Sequence, residues 1–191
     1  IEVEPSVEFD NFWFLTLDYI REFPAHDDAN RGIVGLYHRP TKNNFSATLQ
    51  TDSRRPIMLS MRTGYTNSTK GLSSIFSSVQ FTLRPITWME FSPAFTLIRT
   101  RGEEAWVYPV YTANGYNLFG DRDLDEYDFS LRGTITFTRD LSVQFFTQVF
   151  LPKGHYSNFK ELISRDNLPS YDYVNAQGYV NPDFNQQIVN A

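Results

Sequence analysis

The chain of 191 residues is long enough to bury one sizeable core, and it carries a formal net charge of -5. No basic concentration points to nucleic acid, and with Cys 0 there are neither disulfides nor thiolate metal sites. No run of about 18 apolar residues occurs, which excludes a transmembrane helix, and aromatic residues are plentiful at 16%.

The N-terminus, IEVEPSVEFDNFWF, has no Met, no basic n-region and no apolar h-region. Either a leader has been removed or the chain is a piece of a longer one. From Ser6 to Phe23 the spacing predicts one long strand, with Val7, Phe9, Trp13, Leu15, Leu17 and Tyr19 on one face. A polar connection over Glu22–Lys42 follows. NFSATLQ then alternates Phe45, Ala47 and Leu49 with polar residues, and TDSRRP makes a compact turn. IMLSMRTGY sets Ile57, Leu59, Met61 and Tyr65 against Met58, Ser60, Arg62 and Gly64.

After a looser connection over Thr66–Ser73, IFSSVQFTL and WMEFSPAFTLI alternate again across the tight turn at Arg84–Thr87. Pro93 weakens the second of these, since proline cannot donate to a ladder. Arg99–Glu104 reads as a loop, AWVYPVYT and YNLFG as two strands joined by a turn at Ala113–Gly115, and Gly120–Glu126 as an acidic loop. The clearest hairpin is Leu131–Tyr156. Here Phe129, Leu131, Ile135 and Phe137 share one face with Tyr127, while Asp128, Ser130, Arg132, Thr134 and Thr136 share the other. Past Pro152 the tail is loop-rich, with one helical turn expected in NFKELI.

The expectation is an all-β chain of about nine strands, most about 9–12 residues long. Strands of soluble proteins average about 5–6 residues, whereas a tilted transmembrane strand needs about 9–11. Short and long connections alternate along the chain, as in outer-membrane barrels. Tyr19, Tyr65, Trp88, Trp106 and Tyr127 fall near strand ends, where interfacial girdles lie. The pattern therefore predicts an antiparallel up-and-down transmembrane β-barrel. The alternative is a soluble β-sandwich, whose inner faces alternate in the same way. In the barrel, Phe129, Leu131, Ile135 and Phe137 face lipid. Arg62, Glu90, Asp128, Arg132, Thr134 and Thr136 face the lumen; Arg62, Arg84 and Arg132 either line it and favour anions or fill it in pairs with acids such as Glu90 and Asp128. The strand count is odd, which predicts one domain over residues 1–191 that is only part of a larger barrel.

Candidate chemistry is sparse. Asp121, Asp123 and Asp125 in DRDLDE resemble half of a calcium loop without its turn glycine or distal glutamate. His26, His38 and His155 show no metal-ligand spacing. Glu103 and Glu104 are the only carboxylates worth testing for glycoside hydrolysis, yet neighbours on a strand point to opposite faces. No catalytic constellation and no cofactor site is read from the sequence.

LQTDSRRP, the segment YNLFGDRDLDEYDFSLRGTITFTRDLSVQFFTQVFLPKGHYSNFKEL, and NPDFN together resemble a known family. This is the C-terminal outer-membrane barrel domain of unknown function found behind a family-nine-like carbohydrate-binding module in Gram-negative bacteria. The likeness spans roughly residues 39–185. It implies a domain in the outer membrane, with lipid and lipopolysaccharide as partners, and other envelope proteins or glycans beside them. It also implies that an upstream sugar-binding module and final strands lie outside this sequence. The expected role is anchor or conduit in an envelope system. The alternatives are a soluble carbohydrate-binding β-sandwich and a surface glycan hydrolase.

Overall fold

A computed structural model describes residues 1–32, 35–107, 118–164 and 167–171. All regular structure in them is antiparallel β. Seven long strands form a meander: β3 (Phe14–Glu22), β6 (Lys42–Gln50), β7 (Ile57–Ser68), β8 (Ser73–Ile86), β9 (Met89–Trp106), β10 (Leu118–Thr136) and β11 (Ser142–Glu161). Two short N-terminal strands, β1 (Glu2–Val3) and β2 (Ser6–Glu8), both pair with the outer edge of β3, and β4 (Ala25–Gly32) and β5 (Gly35–Arg39) form a separate hairpin. Among the described residues the sheet is open: β11 has β10 as its only neighbouring strand there, and no described ladder returns to β3.

Register gives this sheet its two faces. Five nine-residue segments of β7 to β11 carry the pattern: Ile57–Tyr65 aligns with Ile75–Leu83, and Met89–Leu97 with Tyr127–Ile135 and Val143–Leu151, while the β8–β9 ladder offsets the two sets by two residues, pairing Ser77 with Leu97 and Leu83 with Phe91. Odd-numbered residues of all five share one face, and Leu15, Leu17, Tyr19, Phe45, Ala47 and Leu49 of β3 and β6 continue it. That face is apolar apart from Thr63, Ser77, Gly133 and Thr147. The even face carries Ser, Thr, Gln and charged residues, with Met58, Gly64, Phe76, Ala94, Phe146 and Phe150 as exceptions. No described element covers the apolar face, so Ile57 remains 64% and Leu151 61% exposed.

The buried core lies elsewhere. Tyr37, Leu72, Val107, Leu118, Phe119 and Leu162 are the buried hydrophobics among the described residues, and all lie at or beyond the end of the sheet that carries the longer connections. Adjacent Leu118 and Phe119 enter two separate clusters, one with Val107 and one with Tyr37 and Leu162. This follows from their pointing to opposite faces of β10.

Several sequence expectations are corrected here. The N-terminal stretch is two strands, because Phe9–Trp13 turns back: Phe12 takes a positive φ of 61°, and Phe9 N–H donates to the Trp13 carbonyl at 2.8 Å. The connection after Glu22 contains the β4–β5 hairpin rather than only loop. Arg99–Glu104 and Gly120–Glu126 are strand, inside β9 and β10, because their charges pair across the ladder. Arg99 and Arg101 meet Asp125 at 3.0 and 2.8 Å, and Arg122 meets Glu103 at 2.6 Å. NFKELI completes β11 instead of starting a helix. The turn expected at Ala113–Gly115, most of AWVYPVYT, and NPDFN lie outside the described residues. No closed barrel is found among the described residues, which bear out the all-β antiparallel reading, and Trp106 packs against the Tyr37–Phe119–Leu162 cluster.

Pro93 is accommodated at a local cost. It sits opposite Leu131 in the β9–β10 ladder, while the β8–β9 ladder skips the positions beside it, between Gln80–Ala94 and Leu83–Phe91. A missing N–H interrupts one ladder only. Gly133 solves a different packing problem. The ring of Phe145, its β11 partner, lies across it, so that an added Cβ meets Phe145 Cε1 at 2.1 Å. The aromatic ring covers backbone that a glycine leaves bare.

Gly133→Ala therefore has to swing Phe145 aside. The ring is the far end of a side chain on an uncovered face, so the expected destabilisation is about 1 kcal/mol, at the low end for overpacking. Urea titration of the folded chain measures it, and Gly133→Ala combined with Phe145→Leu should recover most of the loss.

Candidate functional site

Beyond the apolar band, β9, β10 and β11 run on as a charged extension. Its register shifts in two places, each marked by a residue of positive φ. On β9, Gly102 (φ 62°) takes up the extra residue opposite Arg122–Leu124, and its N–H donates to Asp123 Oδ1 at 2.8 Å. Only a glycine fits there without strain, and an added Cβ would also meet the Gly71 carbonyl at 2.9 Å. On β11, Asn158 (φ 48°) sits at the shift opposite Phe119–Asp121 and donates from Nδ2 to Asp121 at 3.0 Å.

These bulges bring four distant segments together around Glu104. Its Oε1 accepts from Lys70 Nζ at 2.7 Å and from the Tyr37 hydroxyl at 2.9 Å, and its Oε2 accepts from Lys160 Nζ at 2.9 Å. Lys160 also meets Asp121 at 3.0 Å, and Lys70 donates to the His38 carbonyl at 3.2 Å while lying 4.7 Å over the Tyr37 ring. Tyr37 stacks on Phe119 at 4.8 Å, which docks the β4–β5 hairpin onto the extension. Burial alone would push the Glu104 carboxyl above its ordinary range, but bonds from Lys70, Lys160 and Tyr37 outweigh it and hold the group below that range. Burial, and then the Glu104 charge, push the Tyr37 phenol well above its usual value. Beside this hub lies a cavity of about 240 Å³, walled by Tyr37, Trp106 and Phe119 and by Arg39, Lys42 and Lys70, among others.

The sequence-derived candidates fall as follows. Arg62, Glu90, Asp128, Arg132, Thr134 and Thr136 all lie on the polar face, and Phe129, Leu131 and Ile135 on the apolar one; Phe137 lies just past β10, 58% exposed. Of the expected ion pairs on the polar face, Arg84–Glu90 forms at 2.8 Å. Arg62 instead reaches Ser46 at 3.4 Å, Arg132 lies 4.9 Å over the Phe146 ring, and Asp128 accepts from Gln148. Asp121, Asp123 and Asp125 do not converge as a calcium loop. They bond respectively to Lys160 and Asn158, to the Gly102 amide, and to Arg99 and Arg101, and no group of three metal-ligating side chains occurs among the described residues. His26 and His38, unremarkable in spacing, face each other across the β4–β5 hairpin with ring centroids 5.0 Å apart. Glu103 and Glu104 do point into different partnerships, Glu103 to Arg122 and Glu104 to the lysines. Tyr37, Lys70 and Lys160 were not legible as partners of Glu104, since they come from three separate strands or turns.

With this geometry in view, the sequence matches a domain of unknown function, DUF5916, over residues 6–190. The chain belongs to that family. No curated protein and no solved structure matches this DUF5916 domain.

Glu104 anchors the extension of the DUF5916 domain, so Glu104→Ala should leave two lysines and a phenol without their acceptor. The expected loss is about 2 kcal/mol, below the range for fully buried pairs because both lysines reach water. Since the folded carboxyl titrates below its ordinary 4.5, its stabilisation is complete above that pH and is lost as pH falls through the lowered folded value. Limited proteolysis of the β4–β5 hairpin between pH 7 and pH 3 should therefore accelerate on acidification in the native chain. In Glu104→Ala it should be fast throughout.

Proposed function

We propose that this domain is a membrane-embedded β-sheet, a sector of an outer-membrane barrel in a Gram-negative envelope, serving as an anchor or conduit. The observation that carries this reading is the apolar face. Five strands present apolar segments of nine residues on one face, staggered by two residues between β8 and β9, with no described element over them. Nine tilted residues are about what a bilayer core requires, and a soluble protein rarely exposes a contiguous apolar patch beyond a few hundred Å². Lipid is the proposed cover. The hydroxyl-rich even face is the proposed lining of an aqueous interior, and the Tyr19, Phe45 and Tyr65 row supplies aromatics at one boundary.

The reading has two further parts. No described strand pairs with the outer edge of β11 over Val143–Leu151, and lipid cannot satisfy its N–H and C=O groups, so in a membrane that edge must be paired by further strands. The end bearing the charged extension and the β4–β5 hairpin is the exterior, because exterior connections are the longer set. Arg139–Asp140 then lies on the periplasmic side. The role proposed is non-catalytic, as both candidate glutamates are engaged in ion pairs. Linkage to glycan binding or uptake rests on the family resemblance alone.

The test is depth-dependent substitution. Ile135 is the penultimate residue of β10, near the turn rather than at mid-strand, so the most sensitive position is Leu131, at the centre of its band. Leu131→Arg should cost about 2–4 kcal/mol in lipid, Ile135→Arg about 0–1, and Ser130→Arg, on the lumen face, little. Unfolding from liposomes measures all three. A native chain that stays in the aqueous phase without detergent, or equal penalties at Ser130 and Leu131, would overturn the reading.

A further inference from the structure

The cavity beside Glu104 is unlike the rest of the charged extension in what its polar groups have left to offer. Four cations line it, Arg39, Lys42, Lys70 and Arg122, against two carboxylates, Glu103 and Glu104. Both carboxylates are already engaged: Glu103 holds Arg122, and each oxygen of Glu104 takes a lysine. The donors are less committed. Lys42 has no ion-pair partner among the described residues. Glu22 faces it in register, yet the Glu22 carboxylate accepts from Asn44 at 3.1 Å. The one ion pair of Arg39 is with Asp27 at 3.7 Å, beyond hydrogen-bond length. Ser68 Oγ accepts the backbone N–H groups of Lys70 and Leu72 at 3.2 and 3.3 Å, so its lone pairs are used and its O–H remains to donate. A cavity whose acceptors are satisfied and whose donors are not selects an acceptor-rich ligand. In a chain of net charge -5, this local excess of cations stands apart.

We propose that the cavity is an anion-binding site. It takes one phosphate or carboxylate group, held by Lys42 and Arg39, with the Ser68 hydroxyl and the remaining N–H of Lys70 completing the shell. At about 240 Å³ it falls below the roughly 300–1,000 Å³ of drug-sized pockets, so the anion arrives free or on a single small ring. Lys42 and Ser68 are register partners at the end of the β6–β7 ladder, on the polar face. The site therefore sits at one mouth of that face, where charge raises the local concentration of an anionic solute. This deepens the conduit reading but is tested apart from it, since binding is read on the purified chain and insertion is not.

The experiment is calorimetric titration of the full chain in detergent with inorganic phosphate, glucose 1-phosphate, glucuronate and glucose. Saturable binding of at least one anion, with none of glucose, is expected. Lys42→Ala and Arg39→Ala should each weaken it about tenfold, the loss of one charge-assisted hydrogen bond. Lys42→Arg should retain it, which separates loss of charge from loss of fold. Tighter binding of glucose 1-phosphate than of phosphate assigns the site to an anionic group on a larger solute, and the reverse order assigns it to the free ion. Absence of saturable heat with all three anions, or equal affinity in the Arg39 and Lys42 double variant, overturns the proposal.

Discussion

Cross-strand register is the constraint on which the rest of this sheet depends. Side chains on a strand alternate with period two, so a slip of one residue in any ladder would turn a whole strand over. From β3 to β11 the ladders keep one parity, with Leu17 beside Ala47, Thr63, Ser77, Leu97, Tyr127 and Leu151 in a single row. Three register shifts break parity: one lies beside the β8–β9 turn, between Leu83 and Ile86, and those at Gly102 and Asn158 fall beyond the apolar band. There the sheet has acquired cover on its own clusters, and a change of face is tolerated. Within the band, irregularity is confined to Pro93 and to the β8–β9 turn.

The same division governs the energetics. In the band, side chains bury little against one another, and stability in water has almost no apolar source among the described residues. The extension instead combines buried Leu118 and Phe119 with a hub in which one carboxylate joins three elements. A sheet with a core at one end and none along its length suits two surroundings at once, water at the end and something apolar along the band. The proposed membrane setting supplies both.

Much of this was legible in the sequence. Alternation at residues 128–136 placed Phe129, Leu131 and Ile135 opposite Asp128, Arg132 and Thr134, because period two depends only on local backbone geometry. The errors had a common cause. Arg99–Glu104 and Gly120–Glu126 read as loops since charge runs usually are, and their strand state is supported by ion pairs between residues 19 to 26 positions apart. The turn at Phe12 was hidden because a phenylalanine at positive φ carries no turn signature. NFKELI has helical spacing, yet its backbone partner is β10. The Glu104 hub was invisible for the same reason: Tyr37, Lys70 and Lys160 meet only after the extension has folded.

The meander has a kinetic consequence. Apart from β1 and β2, which fold back onto β3, every strand of the large sheet pairs with its neighbour along that path, and no ladder joins distant strands. Contact order is therefore low for a sheet of this size, and most hairpins close over a short connection; the exceptions are the step from β3 to β6, which the β4–β5 hairpin lengthens, and the step from β9 to β10 across residues 107–117. Pairing can start at any tight turn and propagate by zippering in both directions. The slowest step should then be the addition of β3 to β6, the pair whose ends are separated by the longest described connection. A nucleus at the β10–β11 turn would leave the N-terminal strands to join last.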